Sequence, residues 1–340
     1  MPTTLETSGA VRDAAATPAI LLAGAGEIAA EYVKALRVAG VDPGRIRVVG
    51  RSVESCARFA RESGVPCVPG GTAALSTVPV PDAAIVAVSH LSLYETALAL
   101  LDGGCRFVLL EKPGALERRH LEQLDARARD TGAAVFMALN RRFFPSVDLA
   151  RRIIAEDGGL LSCFFDFTEV EAQVLAAAAA KQWTPDVLRK LGIVNSLHVI
   201  DLFLHLAGMP REWQQYRDGG LSWHPGASRF AGAGVTDRNV VFSYLATWDG
   251  AGRWGVELTT PQRKLVLRPL ESVACQVKGS FAVEALSVAP EPTGLKPGFL
   301  AQAGAFLAAA AGGPVDSRLC TLADALAHVD IVQRIIGYES

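Results

Sequence analysis

The chain has 340 residues, 50% hydrophobic and 20% charged, with 33 basic against 35 acidic side chains and a formal net charge of −2. Such a length exceeds what a single growing core holds, so two domains are expected. The near balance of charge gives no field to attract nucleic acid or a membrane surface, and no apolar run reaches the roughly 20 residues of a membrane-spanning helix.

In chain order, Met1 to Thr17 carries Glu6, Arg12 and Asp13 among small polar residues, without the basic-then-apolar order of a signal peptide. It reads as a disordered tail of a cytoplasmic protein. From Ala19 the pattern alternates: an apolar run Ala19–Ala23, a helix Glu27–Ala39, a run Ile46–Val49 and a helix Val53–Ser63. The cycle repeats with Ala83–Val88, Leu93–Asp102, Phe107–Leu110, Glu117–Thr131 and Ala134–Leu139. Short, solidly apolar runs separated by helices predict a buried parallel sheet with crossover helices, the doubly wound α/β plan, over residues 18–140.

After Asn140 the pattern changes. A helix Ser146–Glu156 and another from about Asn195 to Leu206 accompany strand candidates Ser162–Thr168, Asn239–Thr247, Gly255–Thr260, Lys264–Pro269 and Cys275–Lys278. Strands that follow one another without intervening helices predict an α+β domain over 141–340, with a large, open, mostly antiparallel sheet. Helices Phe299–Ala311 and Leu322–Ile336 close the chain, and Asp218–Gly234, rich in Gly, Pro and Trp, reads as a long surface loop. The six cysteines lie far apart with no Cys-x-x-Cys, so they are expected as small buried apolar residues, not as disulfides or metal ligands.

The turn Gly24-Ala25-Gly26-Glu27-Ile28-Ala29 follows a strand and opens a helix. That context lets the backbone approach a pyrophosphate at a helix N-terminus, and it predicts a nicotinamide dinucleotide site at Gly24, Gly26, Glu27 and Ile28. An Asp or Glu closing the second strand would bond the adenosine ribose; here the residues are Gly50-Arg51-Ser52. A guanidinium at Arg51 pairs with a 2′-phosphate and Ser52 adds a hydroxyl, so NADP(H) is favoured, with NAD(H) the alternative.

Three more motifs follow in order: Glu111-Lys112-Pro113, Asn140-Arg141-Arg142-Phe143, and Gly192 to Asp201, which contains Asn195 and His198. With the glycine turn, they resemble the glucose-fructose oxidoreductase / inositol dehydrogenase (Gfo/Idh/MocA) family over residues 18–340. The resemblance implies a Rossmann domain, an open-sheet domain that mediates oligomerisation as a dimer or tetramer, and NAD(P)-dependent chemistry on a sugar or nucleotide-linked sugar.

By the same resemblance, Lys112 points at the reacting oxygen from beside the nicotinamide, and Pro113 fixes its backbone, often through a cis peptide. His198 bonds the reacting hydroxyl and relays a proton. Many members have an Asp four residues before this His; Val194 stands there. Asn195 would orient substrate hydroxyls. Asp201 either holds the imidazole, contacts the domain interface, or is a buried helix residue satisfied by backbone or a neighbouring arginine. Val88, Ser89 and His90 would lie near the cofactor ribose, and Glu111 and Arg141 would border the nicotinamide, while Arg142 would pair on the surface. His198, Asp201 and His205 share a helical face, but no metal is expected. Glu169, Trp183 and Lys296 are expected as structural residues, with a place in the substrate pocket the alternative for each.

The expected function is hydride transfer between the nicotinamide and a ketosugar or sugar hydroxyl. A cofactor-binding sensor without turnover and a glycosidase that recycles its dinucleotide are the alternatives. Neither the sugar nor the reacting carbon is legible.

Overall fold

The computed structural model describes residues 18–338; the tail expected over residues 1–17 lies outside the described residues. The first sheet is built from β1 (Ile20–Ala23), β2 (Ile46–Gly50), β3 (Cys67–Pro69), β4 (Ala83–Val86), β5 (Phe107–Glu111) and β6 (Ala134–Ala138). Every residue of β1 and β4 is buried, because helices cover both faces and leave no side for polar residues. These are α1 (Glu27–Val38), α2 (Val53–Ser63), α3 (Leu93–Asp102) and α4 (Arg118–Thr131). Each crossover helix turns one apolar face inward; α4, for instance, buries Leu121, Leu124 and Ala128. The parallel order is β6-β5-β4-β1-β2-β3, so the chain reverses direction across the sheet between β1 and β4. A dinucleotide binds outside the strand ends at such a switch point.

The second sheet has eight strands in the order β14-β13-β12-β11-β7-β10-β9-β8. They are β7 (Ser162–Asp166), β8 (Pro210–Asp218), β9 (Arg229–Thr236), β10 (Val241–Thr247), β11 (Gly255–Thr259), β12 (Arg263–Leu267), β13 (Val273–Val277) and β14 (Glu284–Leu286). Neighbours run antiparallel except β7 and β10, which are parallel. Strict alternation along β10, with Phe242, Tyr244 and Ala246 buried and Val241, Ser243 and Leu245 exposed, shows one covered and one open face. In the chain α5 (Pro145–Glu156) lies between β6 and β7, and α6 (Glu171–Ala180), α7 (Pro185–Arg189) and α8 (Leu197–Ala207) lie between β7 and β8. Helix α8 is apolar all round apart from His198, Asp201 and His205, and it is buried on nearly every side. No helix among the described residues is long and apolar enough to cross a membrane.

The segment Asp218–Gly234 corrects the expectation of one long loop. Strand β8 runs through Asp218 and β9 starts at Arg229, so only residues 219–228 connect them. The strand signal was masked because Gly232 and Gly234 lie against the Tyr244 ring and the Trp213 backbone, where an added Cβ would stand 2.4 and 2.7 Å from them. Small residues here make room for cross-strand aromatics, at the expense of a readable hydrophobic pattern.

The chain ends by returning to the first sheet. Helix α9 (Phe299–Ala310) packs on α1, with the Tyr32 and Phe299 rings 4.9 Å apart. Then β15 (Cys320–Thr321) adds antiparallel to β6, and α10 (Leu322–Ile336) follows.

Candidate active site

The glycine turn has the shape that its sequence implies. Gly24 has φ +124°, and a Cβ there would sit 2.2 Å from the Ala87 carbonyl oxygen at the end of β4, so the crossing of the two strand ends requires glycine. Gly26 begins α1, is exposed, and has nothing within 4 Å of an added Cβ. Ala29 is wholly buried against the sheet, as close helix–strand packing demands. Glu27 is exposed and Ile28 half-buried on the first turn of α1. The open backbone above Gly26 fits a pyrophosphate.

At the end of β2, Arg51 is exposed. Ser52 caps α2: its Oγ accepts from the Ser55 N–H at 3.2 Å in a reciprocal capping box. The Ser52 hydroxyl expected to help bind a 2′-phosphate is thus already engaged by its own helix. After β4, Val88 is half-buried and the Ser89 and Ser92 hydroxyls lie 3.1 Å apart. His90 meets the edge of Trp183, with ring centroids 5.6 Å apart, and burial, aided by Lys112 and Lys181, pushes it down to about 3. The connection after α6 thereby reaches from the second domain to the first.

Strand β5 ends on Glu111, which accepts from the Tyr32 hydroxyl of α1 at 2.8 Å. The next peptide, Lys112–Pro113, is cis. Lys112 Nζ donates to the Val194 carbonyl oxygen at 2.5 Å. Burial pushes Lys112 down to about 8; Glu111 opposes this, while Arg141 and Lys181 add to it. The ammonium therefore lies close to the point where it releases its proton at physiological pH.

After β6 a 3-10 turn, Asn140–Phe143, carries the two arginines. Asn140 Nδ2 donates to the Pro297 carbonyl at 2.9 Å, and its Oδ1 accepts from Arg141 Nη1 at 2.7 Å. Arg141 Nη1 also lies 3.2 Å from His198 Nε2. A guanidinium only donates, so Nε2 accepts and the neutral ring carries its proton on Nδ1, which is buried with no partner among the described residues. Burial, reinforced by Arg141 and Lys112, holds His198 well below its ordinary range. The His198 and Arg141 side chains both lie near Trp254, at 6.1 and 5.9 Å from its ring centroid.

A single π-helical turn, Gly192–Ser196, leads into α8 and places Val194, Asn195 and Ser196 at this cleft. Asn195 donates through Nδ2 to Glu169 Oε2 at 2.9 Å. Thus Lys112, Arg141, Asn195, His198 and Glu169 come together where the two domains meet.

Of the roles expected for Asp201, the structure shows the buried helix residue satisfied by a neighbouring arginine, not a partner of the His198 imidazole. Asp201 is wholly buried and accepts from Arg142 Nη2 at 2.6 Å and Nε at 2.9 Å, with His328 Nδ1 at 2.9 Å. Its carboxylate is fully committed to the turn after β6 and to α10. Arg142 accordingly is buried, not a surface pair. Asp201, Cys320 and His328 place their ligand atoms within 4.8 Å of one another. Arg142 Nη2 stands 2.6 Å from Asp201 and 3.3 Å from His328, so the guanidinium already supplies the positive charge of this cluster. His205 Nε2 is buried without a partner among the described residues. Lys296 is exposed beside α1, its N–H on Glu31 at 3.2 Å.

Sequence reasoning did not single out Lys181 or assign a role to Trp254. Lys181 is an exposed cation whose charge acts on both His90 and Lys112, and no spacing in the sequence brings it there.

Residues 19–139 match the family described as "Oxidoreductase family, NAD-binding Rossmann fold" (GFO_IDH_MocA). A curated relative, trans-1,2-dihydrobenzene-1,2-diol dehydrogenase of Sus scrofa, is 28% identical over 134 residues, 39% of this chain and 40% of the relative. The chain thus spans about two fifths of that relative's length. Among solved structures, UDP-N-acetylglucosamine 3-dehydrogenase from Acidithiobacillus ferrooxidans superposes with a TM-score of 0.73 at 16% identity, covering 94% of this chain and 97% of that one. Levoglucosan dehydrogenase with NADH and levoglucosan superposes at 0.71 and 18% identity, covering 94% and 96%. At these identities the likeness is one of fold, and it extends over both sheets.

Proposed function

We propose that this chain, which belongs to the Gfo/Idh/MocA oxidoreductase family through its NAD-binding Rossmann domain, moves a hydride between a nicotinamide and a ring carbon of a sugar or nucleotide-linked sugar. The observation that carries this reading is the half-buried Lys112 ammonium at the end of β5, which donates to the Val194 carbonyl of the second domain and is lowered to about 8. When bound, the nicotinamide gives or takes the hydride. Lys112 donates its proton to the oxygen of the carbon being reduced and stabilises the negative charge growing there.

We read His198 otherwise than as the proton relay expected from the sequence. With Nε2 accepting from Arg141 and the ring held neutral, it serves as a fixed hydrogen-bonding wall, and Lys112 carries the proton. The relatives are named for a dihydrodiol, levoglucosan and a UDP-linked amino sugar, each a ring bearing hydroxyl groups. That shared chemistry supports a secondary alcohol or ketone on a ring as substrate.

NADP(H) is the favoured cofactor. Arg51 is exposed beside the N-terminus of α2, and no acid closes β2 to repel a 2′-phosphate. Turnover of NADPH against NADH with a panel of ring ketones tests both points. We expect NADPH to be preferred and Arg51→Asp to weaken NADPH by at least tenfold more than NADH. Equal losses would refute the cofactor preference, and cofactor binding without turnover across the panel would refute the enzyme.

A further inference from the structure

Helix α9 lies along α1, and two polar side chains meet in the seam: Tyr32, wholly buried, and Gln302, 1% exposed. The backbone N–H groups of Leu139 and Asn140 point at the Gln302 amide, and an N–H can only donate. The amide oxygen therefore faces them, at 3.0 and 3.2 Å, which leaves the NH2 to donate to the Tyr32 hydroxyl at 3.2 Å. With an amide N–H aimed at its oxygen, that hydroxyl directs its one proton to Glu111 Oε1 at 2.8 Å. Each bond thus fixes the direction of the next, and bonds in such a chain polarise one another.

The two ends of this chain lie at the cleft. Glu111 closes β5 and is followed directly by Lys112, while Leu139 and Asn140 follow β6 and precede Arg141. The ladder between β5 and β6 stops at the pair Glu111 and Ala138, so strand pairing does not reach either cation. Gln302 continues the connection past that point.

Resting on the reading of Lys112 as proton donor, we propose that Gln302 is a positioning residue. Through Tyr32 and Glu111 on one side and the Leu139–Asn140 backbone on the other, it holds Lys112 and Arg141 at one spacing in the cleft. The return of α9 to the first sheet then does more than cover that sheet: it ties together the two strand ends that deliver the cations.

Hydrogen exchange at the backbone amides of the full chain, and steady-state reduction of a ring ketone by NADPH, test the two halves of the proposal. Gln302→Met keeps the length of the side chain without its hydrogen bonds. Its Leu139 and Asn140 amides should exchange about tenfold faster, and kcat should fall about tenfold with KM for NADPH within about twofold of wild type. Tyr32→Phe leaves the Gln302 oxygen on both amides, so exchange there should match wild type while kcat falls as in Gln302→Met. The double variant should be no slower than Gln302→Met alone, because both changes break one chain. Gln302→Met amides that exchange as slowly as wild type, an unchanged kcat, or a loss confined to KM for NADPH overturns the proposal. Should Gln302→Met fail to fold, a wild-type kcat in Tyr32→Phe does so. If wild type reduces no ring ketone, the reading of Lys112 falls, and exchange alone decides whether Gln302 braces the turn.

Discussion

Desolvation and the neighbouring Arg141 and Lys181 charges outweigh the pull of Glu111 on Lys112, so its proton is held less tightly than an ordinary lysine's. If the ammonium form is the working one, reduction should run at constant rate below about pH 8 and fall above it, since the lysine then loses the proton it must donate. Lys112→Met should lower kcat by about 10²–10⁴-fold with little change in cofactor affinity, as steady-state kinetics would show. Asp201 behaves in the opposite sense. Burial would raise it, but Arg142 and His328 outweigh burial and hold it well below the usual carboxylate range. A depressed carboxylate adds stability above its unfolded pKa, and that stability is lost as pH falls through the acid range. Asp201→Ala should therefore cost about 3–5 kcal/mol by denaturant unfolding at neutral pH, because it strands a buried guanidinium. Its cost should shrink in acid, where wild type loses the same pairing. At this scale, residue types were legible and partners were not. The spacing that put Asp201 one helical turn from His198 said nothing of Arg142 and His328, which arrive from other parts of the chain. Glu169 was visible only as one candidate among several.

Elements were more readable where burial is two-sided. The solid apolar runs of β1, β4 and β5 and the faces of α1 and α4 declared themselves, because a parallel sheet under two helical layers leaves them no polar alternative. Strand β9 was hidden, since its glycines answer to Tyr244 and Trp213 across the sheet. The π-helical turn at Gly192–Ser196 was likewise unreadable: it depends on Gly192 packing beneath Ile336 and Tyr338. The glycine turn shows both sides of the matter. Gly24 is demanded by the fold itself, so Gly24→Ala should destabilise by at least about 1–3 kcal/mol and weaken dinucleotide binding. Gly26→Ala, which meets open space, should fold normally and lose cofactor affinity alone. Thermal unfolding with and without NADPH separates the two; equal loss of stability in both variants would contradict this division.

In the whole molecule, the doubly wound sheet and the open antiparallel sheet are joined twice, first through the turn Asn140–Phe143 and again through α9 and β15, which return to the first sheet. That second crossing was not readable from linear order, yet it places Gly298 against the Asn140 carbonyl and so braces the segment that carries Arg141. The candidate cleft is a product of both joins: Lys112 comes from the first domain, Arg141 from the turn that joins the two, and Asn195, His198 and Glu169 from the second. The central claim is hydride transfer at this junction, and the most direct measurement is the fate of a deuterium at C4 of the nicotinamide. With a ring ketone as acceptor, wild type should place one deuterium on the newly formed carbinol carbon, and Lys112→Met should do so at least a hundredfold more slowly. NADPH that binds but transfers no deuterium to any ketone tested, or a Lys112→Met variant as fast as wild type, would contradict the account.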